Sequence, residues 1–187
     1  MNMLLSQLRP ALTLLCGFAL LLGVAYPLLM TGIAQVIFAG QANGSLLRQG
    51  DVIVGSSLIG QNFTAPGYLH ARPSVTDPAY NAASSGASNL GPSSASLLAS
   101  VRERAAAFGS APVPSEMATA SASGLDPHIT AEAAIRQVPR IAEARGLTPE
   151  VVTNAIGSAT SGPAFGFVGH SIVNVLKANL ALDALNG

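Results

Sequence analysis

Hydrophobic and polar positions are distributed very unevenly along this chain. Between Arg9 and Arg48 there is no Lys, Arg, Asp, Glu or His, and Leu, Ala, Val, Ile and Phe fill most of the interval. The apolar part runs over residues 11–39. A hydrocarbon layer about 30 Å thick needs about 20 apolar residues in a helix, so this stretch predicts one span plus an interfacial turn. No second run of that kind follows, which predicts a single-pass protein. A secretory signal has a shorter apolar core, about 7–15 residues. Gly23, Val24 and Ala25 imitate a cleavage site, but apolar sequence continues past them. Leu14 and Leu15 are too bulky for lipoprotein processing at Cys16. The expectation is an uncleaved anchor in three parts: a short tail over 1–10, a transmembrane helix over 11–39 and an extracytoplasmic soluble domain over 40–187. The charge signal for orientation is thin, because only Arg9 and Arg48 flank the span.

On an ideal helix, at about 100° per residue, Thr13, Cys16, Gly17, Gly23, Pro27, Thr31 and Gln35 share roughly a third of the circumference. The bulky residues Leu12, Leu15, Leu22, Leu29 and Ile33 lie mostly elsewhere. Small and weakly polar residues let helices approach closely in lipid. Thr13, Gly17, Gly23, Pro27, Thr31 and Gln35 are therefore the expected face for a partner helix. The alternative is a monomeric anchor, because Gly and Pro are common in such helices; Ala11, Ala25 and Gly32 also break the pattern. Pro27 predicts a kink.

After the span the periodicity shortens. Leu46-Leu47, Val52-Ile53-Val54 and Leu58-Ile59 are short apolar runs punctuated by Gly50-Asp51, Gly55-Ser56 and Gly60-Gln61, a strand–turn–strand pattern. Pro66, Pro73 and Pro78 make the next segment irregular. Residues 80–96 are rich in Ser, Ala, Asn and Gly, a composition shared with disordered linkers, but 85–92 reads as an ordered loop feeding a helix, with Pro92 in the first turn and Leu97, Leu98, Val101 and Phe108 as the stripe. Residues 110–115 form a connector and 117–124 are small and β-compatible. A helix is expected over 129–145, capped by Thr130, favoured by Glu132 and ended by Gly146, with Pro139 kinking it or dividing it into two short helices. Thr148-Pro149 starts another. Residues 161–170 read as loop, and 173–185 as strand, helix or both. The expected fold class is α/β: one N-terminal transmembrane helix followed by a small mixed α/β soluble domain.

Composition narrows the chemistry. The nine basic and nine acidic groups balance, and the only lysine is Lys177. Nucleic acid needs a basic footprint and an acidic lipid surface needs the same, so neither is an expected partner beyond the bilayer itself. The soluble part has no cysteine for a disulfide. His70, His128 and His170 are too dispersed for a zinc spacing. There is no Gly-Lys-Ser/Thr phosphate loop and no Gly-x-Ser-x-Gly elbow. Asp126 and His128, flanking Pro127, read as a turn with a local hydrogen bond. The 84–92 loop has the best binding character: its hydroxyls, Asn89 and glycines could cradle an anion or nucleotide, or be satisfied by local backbone.

Several segments, in order, carry a resemblance. They are Tyr26-Pro27-Leu28 with Thr31 and Gln35, Gly55 to Phe63, Arg72-Pro73-Ser74, Tyr80-Asn81, and Ser85 to Pro92. Ser123 to Ile129, Gln137-Val138-Pro139-Arg140, Val173 to Leu176 and Asn179 to Asp183 complete them. Together they resemble the C subunit of the bacterial Kdp potassium-transporting ATPase over nearly the whole chain. The resemblance implies a bacterial inner-membrane subunit with a periplasmic domain. It implies assembly with a channel-like potassium-binding subunit, a P-type ATPase subunit and a very small fourth subunit. It also implies a catalytic chaperone that raises the pump's affinity for ATP. Its Ser/Gly-rich loop, compared in the family to an ABC-transporter signature, supplies Ser85, Gly86, Ser88 and Asn89 as nucleotide-binding candidates. The chain departs from the family pattern at Ala87, at Ala39 and at His170-Ser171-Ile172. No catalytic residue, metal or firmly bound cofactor is expected, with ATP reached through the partner subunit. A domain outside the membrane cannot touch cytoplasmic ATP, so coupling through the helix or the pump's conformations is the expected route. Direct nucleotide binding by the 84–92 loop is the alternative.

Overall fold

The computed structural model describes residues 2–108, 112–163 and 165–185, with side chains from Ser6 onward. Two compact units form, Met1–Leu46 and Leu47–Gly187. In the first, α1 (Asn2–Leu20) runs through a π turn (Leu21–Ala25) into α2 (Tyr26–Ile37), followed by the short α3 (Ala39–Ala42). The π turn has a local cause. Pro27 has no N–H to donate, and in a regular helix its ring would press on the carbonyl of Gly23 four residues back. Widening the preceding turn relieves that clash, and Tyr26 N–H donates five residues back to Leu21 O. The continuous helix Ser6–Ile37, 32 residues, is long and apolar enough to cross a membrane, and none of it is buried. Its end is closed by an amide pair. Asn43 Nδ2 donates to Gln35 Oε1 at 3.0 Å and to Ala39 O at 2.7 Å.

The second unit opens with a two-stranded sheet, β1 (Leu46–Gln49) and β2 (Val52–Ser56), joined at Gly50-Asp51. Leu58-Ile59 is turn rather than strand. After a long coil come α4 (Ala95–Ala106), α5 (Ser115–Ala118), β3 (His128–Thr130), α6 (Ala131–Ile135), α7 (Val138–Arg145), α8 (Pro149–Ser158), β4 (Thr160–Ser161), β5 (Ile172–Asn174) and α9 (Val175–Asp183). Strands β3 and β4 both pair antiparallel to the central β5, with Ile129 opposite Val173 and Thr160 opposite Val173. The core gathers Leu69, Ile129, Ile141, Val152, Val173 and Leu182, with α8 packed on both α7 and α9.

Several local expectations shift. Helix α4 starts after Ser94, whose Oγ accepts from Leu97 N, so Pro92 lies outside it. Leu98 is 49% exposed, and half-buried Arg104 stands on the inner side with Leu97, Val101 and Phe108. Residues 117–124 form no strand. Ser121 Oγ and Ser123 Oγ take the N–H groups of Gly124 and Leu125, which leaves turns. Ile129 belongs to β3 rather than to a helix, while the break expected at Pro139 is present as two short helices, α6 and α7. Thr130 does cap α6, and Gly146 ends α7 in the left-handed conformation at φ 64°. Thr148 stands at the start of α8 without a capping bond. The 110–115 connector and the 161–170 loop fall partly outside the described residues.

The coil before α4 has no strand partner. Instead, buried Asn179 accepts from Leu69 N at 2.8 Å and donates to Leu69 O at 3.0 Å. Buried Gln137 does the same for His70, at 2.9 and 3.0 Å. Arg140 donates to Pro66 O and Tyr68 O, and Arg145 to Gly67 O and Leu182 O. Arg145 also pairs with Asp183 at 2.8 Å and lies 4.9 Å from the Tyr68 ring centre. Asn179→Ala strands two buried backbone groups at about 1–3 kcal/mol each. Chemical unfolding of the detergent-solubilised chain, followed by circular dichroism, should show a loss of about 2–6 kcal/mol, with an unchanged denaturant slope.

Candidate functional site

The stitched coil leads into a cavity of about 310 Å³ lined by Asn62, Phe63, His70, Arg72, Tyr80, Arg104, Phe108 and Met117 among others. Backbone geometry fixes its wall. Gly60 lies where a Cβ would sit 2.5 Å from the Tyr80 ring and 2.6 Å from Asp126 O, so only glycine lets these segments meet. Tyr80 OH donates to Arg72 O. Arg72 pairs with Asp126 at 3.3 Å and donates to Ala120 O. Asp126 also accepts from His128 N at 3.0 Å, so the expected local turn is present. Arg104 reaches Ala118 O at 3.4 Å.

The ionisable groups here are tuned by burial. Burial, helped by Asp126 and opposed by Arg72, pushes the Tyr80 hydroxyl up to about 12. Burial holds the His70 imidazole below its ordinary range; its hydrogen bond with Ala65 O at 3.0 Å opposes that and Arg140 adds to it. Burial also lowers the Arg140 guanidinium. Among the described residues no group of His, Cys, Asp and Glu could hold a metal ion.

The expected nucleotide loop lies elsewhere. Ser85 Oγ donates to Ser123 O at 2.9 Å, and Gly86 N donates to the same oxygen at 2.9 Å. Ser88 and Asn89 are exposed, and Asn89 is in the left-handed region at φ 52°. The next helix starts at Ala95, so no helix N-terminus directly follows the loop. The structure thus brings Ser85 and Gly86 onto the 121–124 turn and leaves Ser88 and Asn89 in solvent.

The expected packing residues Thr13, Gly17, Gly23, Pro27, Thr31 and Gln35 are distributed by the π turn. A π turn holds one more residue than an α turn, about 100° of helical advance. Thr13 and Gly17 share a shallow notch with Leu14, Phe18 and Leu21. Pro27, Thr31 and Gln35 follow at four-residue spacing in α2, on a stripe turned from the first. Gly23 lies within the π turn itself. Gly32 lines a second notch with Leu28, Leu29, Ile33, Val36 and Ile37. Arg104 is the site residue that local reading missed; its spacing of four from Ser100 and of four to Phe108 was the available signal.

A long uncovered apolar helix followed by a small α/β unit is the layout of a single-span membrane subunit. The family model described as KdpC, K+-transporting ATPase, c chain, matches residues 8–184. A Serratia proteamaculans protein named potassium-transporting ATPase KdpC subunit is 52% identical over 188 residues, 97% of this chain and 100% of that one. Proteins of the same name from Cereibacter sphaeroides and Rhodopseudomonas palustris are 52% and 47% identical, each over 96% of this chain and 98% of theirs. The chain belongs to the KdpC family of K+-transporting ATPase subunits.

His70 gives the soluble unit a pH response with a definite sign. The folded state disfavours imidazolium, so the unfolded chain takes up the proton first, near its ordinary 6.5. Stability is full above that value and falls as the pH drops through 6.5 toward the lowered folded value. Thermal midpoints measured between about pH 5 and 8 should decline on the acid side, and His70→Gln should flatten that decline.

Proposed function

We propose that this chain is the accessory subunit of an ATP-driven potassium uptake complex, anchored by its helix in a bacterial inner membrane with the α/β unit on the periplasmic side. It assembles with a channel-like potassium-binding subunit, a P-type ATPase subunit and a small fourth subunit. Its effect on ATP affinity, as a catalytic chaperone, is indirect: the α/β unit sits over the ion entrance and biases the pump's conformations. The observation that carries this reading is the uncovered helix Ser6–Ile37, with no buried residue in an apolar span. Its notch at Gly17 suits close helix contact. In the soluble unit, Phe165 and Phe167 are 91% and 81% exposed, an apolar tip of the kind partners cover.

The bonding of Ser85 and Gly86 to Ser123 O supports the indirect route, because two donors of the expected nucleotide loop already have an acceptor.

Gly17→Leu combined with Thr31→Leu should reduce recovery of this subunit with its partners about tenfold or more, if each lost helix contact is worth about 1 kcal/mol. Undiminished co-purification would remove the docking role of the helix. Sidedness has its own readout. With Cys16, the only cysteine, changed to Ser, a new cysteine at exposed Glu143 should react with a membrane-impermeant maleimide in intact spheroplasts. Labelling only after lysis would place the domain with cytoplasmic ATP and revive direct nucleotide contact.

A further inference from the structure

The connection between β4 and β5 stands on fixed legs. Thr160 pairs with Val173 and Ser161 with Ile172, and Val173 is fully buried. Its tip is apolar and open to water: Phe165 and Phe167 are almost fully exposed, and Val168 is 51% exposed. Clustered apolar exposure of this kind marks a contact surface.

The backbone adds a second observation. Phe165 has φ 54°, in the left-handed region that a bulky side chain rarely adopts. Gly166 and Gly169 follow at φ 82° and 92°, and Gly166 N–H donates to Pro163 O at 3.1 Å. A tight turn thus holds an exposed phenylalanine in a strained conformation, and strain of this kind persists where it serves a function.

Charge and area decide what covers the tip. From Val151 to Leu176 the sequence holds no Asp, Glu, Lys or Arg, and His170 is the only titratable group. Nothing therefore draws the tip to lipid head groups. A turn carried into hydrocarbon would also bring backbone polar groups that are not closed on themselves as in a helix. A second copy of the chain fits no better. Two phenylalanines bury about 300–500 Å², short of the about 800 Å² per side of a free-standing protein contact. A tip of this size is one anchor of a larger contact, which suits a subunit already held in a complex by its helix.

We propose that Phe165 and Phe167 form a preset anchor that enters an uncharged, apolar pocket on a partner subunit of the potassium-transporting complex. The pocket presupposes the complex proposed above. The strained turn fixes the pair before contact, which lowers the ordering cost of docking. Aromatic side chains seated in pockets carry a disproportionate share of contact energy.

Exchange of the labelled subunit, captured in the complex, against excess unlabelled chain tests the anchor. Phe167→Ser should speed release about tenfold. Phe165→Asn should do the same, because asparagine keeps the left-handed turn and loses the ring. Phe167→Leu should stay within about threefold of the original chain. Both polar variants change exposed side chains, so thermal unfolding should be unaltered. Release rates unchanged in both polar variants overturn the anchor. If the original chain is not captured at all, membership of the complex fails first and the anchor with it. The bilayer has its own readout. The chain has no tryptophan, so Phe167→Trp in liposomes of brominated phosphatidylcholine reports contact with lipid. An unquenched, water-exposed indole is expected, while Phe18→Trp, in the span, should be quenched and shows that the helix is inserted. Quenching at position 167 means that the bilayer covers the tip and overturns the proposal. Self-association of the full chain in detergent that Phe167→Ser abolishes overturns it too.

Discussion

The α/β unit depends on two buried amides that stand in for a missing strand. Asn179 and Gln137 each bond both the N–H and the C=O of one coil residue, Leu69 and His70. A neighbouring strand bonds both groups of one residue in the same way, but only at alternate positions, so two separate amides are needed for two successive residues. Without them, fully buried Leu69 could not enter the core, because its backbone groups would be desolvated and unpaired. The amides come from Gln137, at the N-cap of α7, and from Asn179 in α9, so this pairing ties both helices to a segment whose prolines exclude it from a sheet. Arg140 and Arg145 extend the same seam along residues 66–68. The position of Arg72, two residues past His70, follows from that anchoring, and with it the arginine-lined cavity.

What the sequence made legible was local. The apolar span, the break before Pro139, the left-handed stop at Gly146 and the cap at Thr130 are each decided within four residues, where propensity and capping speak directly. Strand β3 was read as the start of a helix because its partner β5 lies more than forty residues on. The 117–124 segment looked extended because small residues fit a strand, but Ser121 and Ser123 captured its N–H groups first. The seam was invisible for a different reason. Asn179 meets Leu69 across 110 positions and Gln137 meets His70 across 67, and no periodicity encodes such pairs. Arg104 was overlooked because a charge on a helix is normally solvated; here it is half-buried and lines the cavity.

The 84–92 loop shows how a binding-like composition can serve the fold. Its donors at Ser85 and Gly86 converge on one oxygen, Ser123 O, holding the loop against the 121–124 turn. Anion cradles work by aiming several free N–H groups at one point, often at a helix start. Here two of those groups already have an acceptor and the helix starts six residues after Asn89, at Ala95. The loop's Ser/Gly composition is thus accounted for by closure of the coil, with Ser88 and Asn89 as its exposed remainder.

The membrane helix imposes a separate constraint. Pro27 forces a wider turn ahead of itself, and that turn breaks the straight register on which a single packing face would be drawn. Thr13 and Gly17 belong to the register before it, Thr31 and Gln35 to the register after it, offset by about 100°. Gln35 is further occupied by its amide pair with Asn43, so its polar group already serves the end of the helix. A straight neighbouring helix that fits the notch at Gly17 therefore loses contact with Thr31. Only a neighbour that wraps around the span by the same angle, or two neighbours meeting it above and below the π turn, can use both halves.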